Sequence, residues 1–331
     1  MPICWSAQRT AFFLVGPVRL NNVAICRKAN QALSLGATHK MNRFESRRRA
    51  TPSGAAATPP PLPPIPTVTT IDEVVEAIES IIDWSISVSS RLGYFAALYK
   101  RITIAIGAAV SQGMFEDAPR MQRFDAIFAS RYFDALNGYF HPTHFAKPAR
   151  CWRVAFDAAD RPEPIILQHL LAGVNAHIDL DLGIAAEAVA PPANLGALHN
   201  DFNTVNDVLI SQVSGVVDEI DELSPVLADL YHALTSNEIF LIGEAVKTLR
   251  DNAWTFATIL ALEPGIAHPA TIWALDQKVS AQAELIYDPP GLMGLLKEIV
   301  ASIAARESRD VVTNIRKLNE IAATPAPIKT T

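Results

Sequence analysis

Two pairs of side chains near the middle of the chain have the types and spacing of a chemical site. They are His177 with Asp181, four residues apart, and His199 with Asn206, seven apart. Residues at these intervals share one face of a helix. On a helical wheel of about 100° per residue, Ile166, Leu167, Leu170, Val174 and Ile178 form an arc that contains His177 and Asp181, with Gln168, Asn175 and Asp179 opposite. Phe202, Val205, Leu209, Ile210, Val213, Val217 and Ile220 define a second arc, which holds His199 and Asn206. A third arc, Phe124, Phe128, Tyr132, Ala135, Leu136 and Tyr139, encloses Asp125 and has Arg131 on its edge. A carboxylate inside an apolar face is costly unless it is paired or bound to a metal.

Two imidazoles and two carboxylates, His177, His199, Asp181 and Asp125, are a ligand set for Zn, Fe or Mn, whereas Ca or Mg would ask for oxygens alone. Such an ion would acidify a bound water and make the chain a metal-dependent hydrolase, with Asn206 and Arg131 orienting an anionic or carbonyl substrate. Without a metal, the same residues would fix the polar group of an apolar small molecule or lipid in a helical binding module. A closed hydrogen-bond network of purely structural purpose is the plain alternative. Terpene-cyclase-like chemistry finds less support: Asn200, Asp201 and Thr204 begin a magnesium motif, but Val208 stands where its acid belongs and no D-D-x-x-D segment precedes it. H-E-x-x-H, P-loop, Rossmann and G-x-S-x-G patterns are absent. His169, at the edge of the first arc, reads as supporting or structural. His141 and His144 read as surface residues of a loop, Asp201 and Asp207 as capping or solvated, and Cys151, beside Trp152, as a buried inert thiol.

The elements that must position these groups are helices. Thr70 and Glu73 have the spacing of a capping box, and Ile71, Val74, Val75, Ile78, Ile81 and Ile82 repeat at helical intervals. Further helices are expected over about 94–110, 121–139, 164–188, 200–223, 225–234, 236–262, 270–287 and 291–319, punctuated by prolines. No alternating β-branched runs occur. The pattern predicts an all-α, bundle-like single domain over 67–322 with an inward-facing polar cluster, followed by a loose tail at 323–331.

Charge divides the chain. Residues 1–65 carry nine Lys or Arg and one acid, Glu45, for a net +8, while the rest has 19 bases against 33 acids, a net −14. So acidic a body is a poor match to a phosphate backbone and argues against nucleic acid as a partner. The Arg-rich stretch 1–50 is like an organelle transit peptide, which would make the protein mitochondrial; otherwise a cytoplasmic location is expected. Thr51 to Pro66 is dense in proline and reads as an extended linker. The longest uncharged apolar run, Ile102 to Val110, is about half of a membrane span, so no transmembrane segment is expected. Nothing in the sequence sets the oligomeric state.

The segments RFDAIFASRYFDAL (Arg123 to Leu136), QHLLAGVNAHIDLDLG (Gln168 to Gly183) and HNDFNTVNDVL (His199 to Leu209) resemble an uncharacterised family, domain of unknown function family 5995, over about residues 70–320. The likeness rests on the N-A-H-I-x-x-D-L core and the H-x-D-F-x-x-V-N stretch. It implies that His177, Asp181, His199 and Asn206 belong to one constellation, and it implies no activity. A weaker similarity joins H-x-x-x-D to the all-α zinc phospholipases C and P1-type nucleases. The chain has too few histidines for their trinuclear site and no ordered N-terminal Trp ligand.

Overall fold

Thr70 opens the first helix. Its hydroxyl accepts the Glu73 amide at 3.2 Å, and the Glu73 carboxylate accepts the Thr70 amide at 3.2 Å, the reciprocal box that the spacing predicts. In the computed structural model this helix, α1, spans Ile71–Val88. It ends at Ser89, whose φ of 56° lies in the left-handed region. The structure describes residues 59–190, 193–224, 238–288 and 294–328. The basic extension at 1–50, the linker as far as 58, the helix expected at 225–234 and the tail end at 329–331 lie outside the described residues.

The chain continues through α2 (Leu92–Ser111), α3 (Ala118–Phe140), α4 (Arg150–Asp157), α5 (Ile166–Val174), α6 (Leu182–Val189), α7 (Leu195–Leu223), α8 (Glu238–Leu262), α9 (His268–Tyr287), α10 (Gly294–Ala304) and α11 (Val311–Ala322). No strand occurs among the described residues, and the helices pack as one all-α domain. Two expectations need correction. The run 291–319 is two helices, because the chain breaks after Ala304 and restarts at Asp310, whose side chain accepts the Thr313 amide. Helix α4 has no counterpart in the periodicity reading, being too short to show a repeat and preceded by Ala149, which offers no cap.

What starts α4 is a carboxylate from elsewhere. Asp276 of α9 accepts the amides of Arg150 and Cys151 at 2.8 and 2.9 Å. The device recurs. Asp201 of α7 accepts the amides of Glu116 and Asp117, which lead into α3, at 2.6 and 3.1 Å, and it pairs with Arg120 at 2.8 Å. Glu307 accepts the Ile166 amide at the head of α5 at 2.9 Å. Each acid satisfies orphan N–H groups and lies at the positive end of a helix dipole, which is why Asp201, Asp276 and Glu307 tolerate burial. Asp201 thus serves the start of α3 rather than that of its own helix, in whose interior it stands, and it is buried rather than solvated.

Helices α5 and α6 form one continuous helix, joined by a π-helical segment at Asn175–Asp181. This composite helix runs through the interior, against α2, α4 and α9 along its first half and against α3 and α8 along its second. Its expected solvent face is therefore corrected. Gln168 and Asn175 are buried, and they serve as ties to α9: Gln168 donates to the Ile286 carbonyl at 2.7 Å and Asn175 to that of Val279 at 3.0 Å.

The proline-rich segment is extended from 59 to 66, as proline demands, but it is not a free linker. Leu62 and Ile65 are buried in the main core. Asn137 of α3 holds the Ile65 backbone at both ends, accepting its N–H at 2.8 Å and donating to its carbonyl at 2.9 Å. Trp84 donates to the Pro60 carbonyl at 3.0 Å, and His141 Nε2 lies 2.7 Å from the Leu62 carbonyl. The packed domain thus includes Leu62 and Ile65, ahead of the expected start at 67, and His141 is an anchor for this strap rather than a loose surface residue.

Candidate functional site: an aromatic chamber between two histidines

Asp181 is 1% exposed, and three donors converge on it. Trp152 Nε1 of α4 donates to Oδ2 at 2.8 Å, Arg131 Nε of α3 lies 3.2 Å from Oδ1, and His177 Nδ1 lies 3.4 Å from Oδ2. The indole makes the best of these bonds, and the imidazole contact is at the long limit of hydrogen bonding. A carboxylate on this side keeps the imidazole proton on Nδ1 and leaves the Nε2 lone pair facing away.

His177 itself is boxed by rings. Phe128 stacks on it face to face, with centroids 3.6 Å apart and planes 7° from parallel. Tyr99 meets it edge-on at 4.7 Å. Phe95, Tyr132 and Trp152 stand at 6.0, 6.1 and 5.8 Å. Burial lowers the His177 pKa, and the Arg131 charge adds to the effect, while Asp181 opposes both. The ring is therefore held neutral.

Two polar atoms in this neighbourhood have no hydrogen-bond partner among the described residues: His177 Nε2 and Asp125 Oδ2. Asp125 differs from the other buried acids, since it caps no helix and no ion pair or hydrogen bond from the described residues reaches it. Burial alone raises its pKa from 3.8 to about 7. Its charge, after burial, is the next cause that raises the Tyr99 phenol, and the Thr103 hydroxyl offsets part of that rise.

Phe95, Tyr132 and Trp152 form a wall, and on its other side lies a partly open cavity of about 20 Å³. Leu92, Ala155, Phe156, Ala159 and Gly173 complete its apolar lining, and the polar members are Arg91 and His169. Gly173 is needed there, because a Cβ would come within 2.4 Å of the Phe95 ring. His169 of α5 is 5% exposed; Nδ1 lies 3.5 Å from the Tyr287 hydroxyl, and Nε2 has no partner among the described residues. Burial drives its pKa down to about 3, with the Arg91 and Arg161 charges adding to the fall.

Of the residues singled out by spacing, His177 and Arg131 both reach Asp181, while Asp125, one turn before Phe128 on α3, makes no hydrogen bond or ion pair with them. His199 and Asn206 do not. His199 is exposed on α7, its ring 4.5 Å from Trp254 of α8, and Asn206 accepts from Arg250 at 2.7 Å. The wheel places them inward because it centres the arc on Leu209 and Ile210; the buried stripe runs through Leu198, Asp201, Phe202, Val205 and Val208. Among the described residues no three His, Cys, Asp or Glu side chains are grouped as metal ligands, so the four-ligand set His177, Asp181, His199 and Asp125 is not assembled. Trp152, Tyr99, Phe95 and Arg91 escape the sequence reading. Trp152 and Arg91 stand outside any recognised apolar arc, and the two α2 aromatics look like ordinary core.

The sequence profile of the Family of unknown function (DUF5995) matches residues 71–289. The chain belongs to the DUF5995 family. The matched span runs from α1 to just past α9 and so contains every residue of the chamber. No curated protein and no solved structure matches the chain. No helix among the described residues of this DUF5995 protein is long and apolar enough to cross a membrane.

Proposed function

We propose that this DUF5995 protein binds, without a metal, a small and largely aromatic or apolar molecule that carries one hydrogen-bonding group. The molecule occupies the cavity beside the Phe95–Tyr132–Trp152 wall, with His169 Nε2 as its anchor. The observation that carries this reading is that imidazole. It is buried, uncharged and without a partner among the described residues, and it lines a cavity whose other walls are almost wholly apolar, the composition of a small-molecule site. Arg91 is the only lining residue that is partly exposed, and its guanidinium is tied to the Ala159 carbonyl at 3.1 Å. As it stands the cavity has room for a water-sized group. A larger guest widens it by swinging Arg91 outward, at the cost of about one hydrogen bond, roughly 1 kcal/mol. The Arg131–Asp181–Trp152 chain holds the indole plane that the guest would meet.

Phenol is a suitable probe, with one ring and one hydroxyl. Titrated into the isotope-labelled protein, it is expected to shift the Trp152 indole N–H and the His169 ring resonances together, and His169→Phe is expected to remove the response. Unmoved resonances in the wild type at millimolar phenol would sink the proposal. The hydrolase reading has less support, because its ligand set is divided between two places.

A further inference from the structure

Arg250 of α8 is 4% exposed, and among the described residues every hydrogen bond it makes goes to a neutral oxygen. Nε donates to Asn206 Oδ1 at 2.7 Å, Nη2 donates to the Phe202 carbonyl, and the guanidinium carbon lies 4.3 Å from the Phe202 ring centre. Asp251, its chain neighbour, is exposed and forms no ion pair with it. Burial lowers the Arg250 pKa to about 9, against the pull of Asp251. A buried cation without an anion is unusual, since desolvation is offset only by a charge partner or a full set of hydrogen bonds. Among the described residues, Nη1 has neither a hydrogen bond nor the enclosure of a sealed atom. The fork is therefore two-thirds committed, with one corner open.

Arg250 stands in a row of groups where α7 meets α8. On α7, His199, Asn203 and Asn206 follow at intervals of four and three; on α8, Arg250 and Trp254 are four apart. Asn203 lies 3.3 Å from His199 Nε2, and the His199 ring leans over Trp254. His199 and Asn203 are exposed and Trp254 is half-buried, so neutral hydrogen-bonding groups lie at the surface along the same seam as the cation. We propose that Arg250, with Asn206, Asn203 and His199, binds a small oxyanion, a carboxylate or phosphate group. Arg250 supplies the charge, Asn206 fixes the fork in place, and the amide and imidazole one and two turns away add neutral hydrogen bonds. The site is independent of the aromatic chamber.

The test uses the full chain, with inorganic phosphate and benzoate as probes and sodium chloride at matched ionic strength as the control. Calorimetry and the Trp254 and His199 resonances report binding. Saturable binding of either probe, absent with chloride and weakened about tenfold or more in Arg250→Gln, is expected. Phosphate alone would assign a phosphoryl ligand, and benzoate alone an aromatic carboxylate. Should Arg250→Gln fail to fold, the exposed double variant His199→Gln/Asn203→Ala decides, with about fivefold weaker binding expected. Equal responses to chloride, no binding of either probe by the wild type, or unchanged affinity in the folded variants would each overturn the proposal and leave Arg250 as a staple between α7 and α8.

Discussion

Replacing Asp125 by Asn is expected to stabilise the protein at alkaline pH and to leave it nearly unchanged in acid. The carboxyl is buried, and its pKa rises from 3.8 to about 7 through burial alone. A folded-state value above the unfolded one means that the folded chain holds the proton more tightly. Its contribution is thus favourable below about pH 4 and is lost as pH rises through about 7. Each pH unit between the two values is worth about 1.4 kcal/mol, so roughly three units set a ceiling near 4 kcal/mol. The amide, like the protonated carboxyl, leaves buried polar atoms unpaired, so that cost cancels, and a net gain approaching about 4 kcal/mol at pH 8 is expected, shrinking to about zero at pH 4. Urea unfolding followed by far-ultraviolet circular dichroism at pH 4, 6 and 8, wild type beside variant, measures it. A variant that is less stable at pH 8, or a difference that does not change with pH, would refute the reasoning. Asp125 would then be ionised and paired.

Asp181→Ala is expected to cost about 2–4 kcal/mol, because it strands the Trp152 N–H in the core; the Arg131 contribution is small, since that side chain is 36% exposed and turns to water. A urea series that finds it neutral would show that the network is not what holds the indole. Gly173→Ala drives a methyl into the Phe95 ring and is expected to cost about 1–3 kcal/mol while closing the cavity, measurable as a lower Tm and lost phenol response. Asn137→Ala frees the strap at Ile65, at about 2 kcal/mol for two buried bonds, and limited proteolysis near residue 65 reports it. His169→Leu removes an imidazole whose pKa falls to about 3. A depressed value means stability is lost as pH falls below about 6.5, so the variant is expected to resist acid unfolding better than the wild type.

Helix periodicity makes the all-α fold legible, because the long helices carry strong apolar faces and visible stops. Thr70, Asp117 and Asp310 mark starts by local chemistry alone. Helix α4 is illegible for the opposite reason: its cap, Asp276, is contributed from 126 residues away, and no local window contains both. The same limit divides the site. His177 and Asp181 are legible because both lie on one helix. Trp152 is not, because its partner is visible only in three dimensions. His199 is misplaced because a wheel ranks residues by hydropathy and cannot weigh Asp201, a polar residue that faces inward to cap α3. The buried Gln168 and Asn175 show the same bias, since their partners are carbonyls of α9.

A helix with a wide turn holds one residue more than a regular helix over the same distance. The π-helical segment at Asn175–Asp181 therefore works as a phase shifter. Helix α5 is in register with α2 and α9, α6 is in register with α3 and α8, and the added residue lets one unbroken helix serve both. His177 and Asp181 stand at the seam. Loss of a single residue there is a change that α5 or α6 could absorb by rotation, but only one of them could keep its neighbours. The position of the imidazole in its ring box is thus tied to the length of the segment as firmly as to the identity of its side chains.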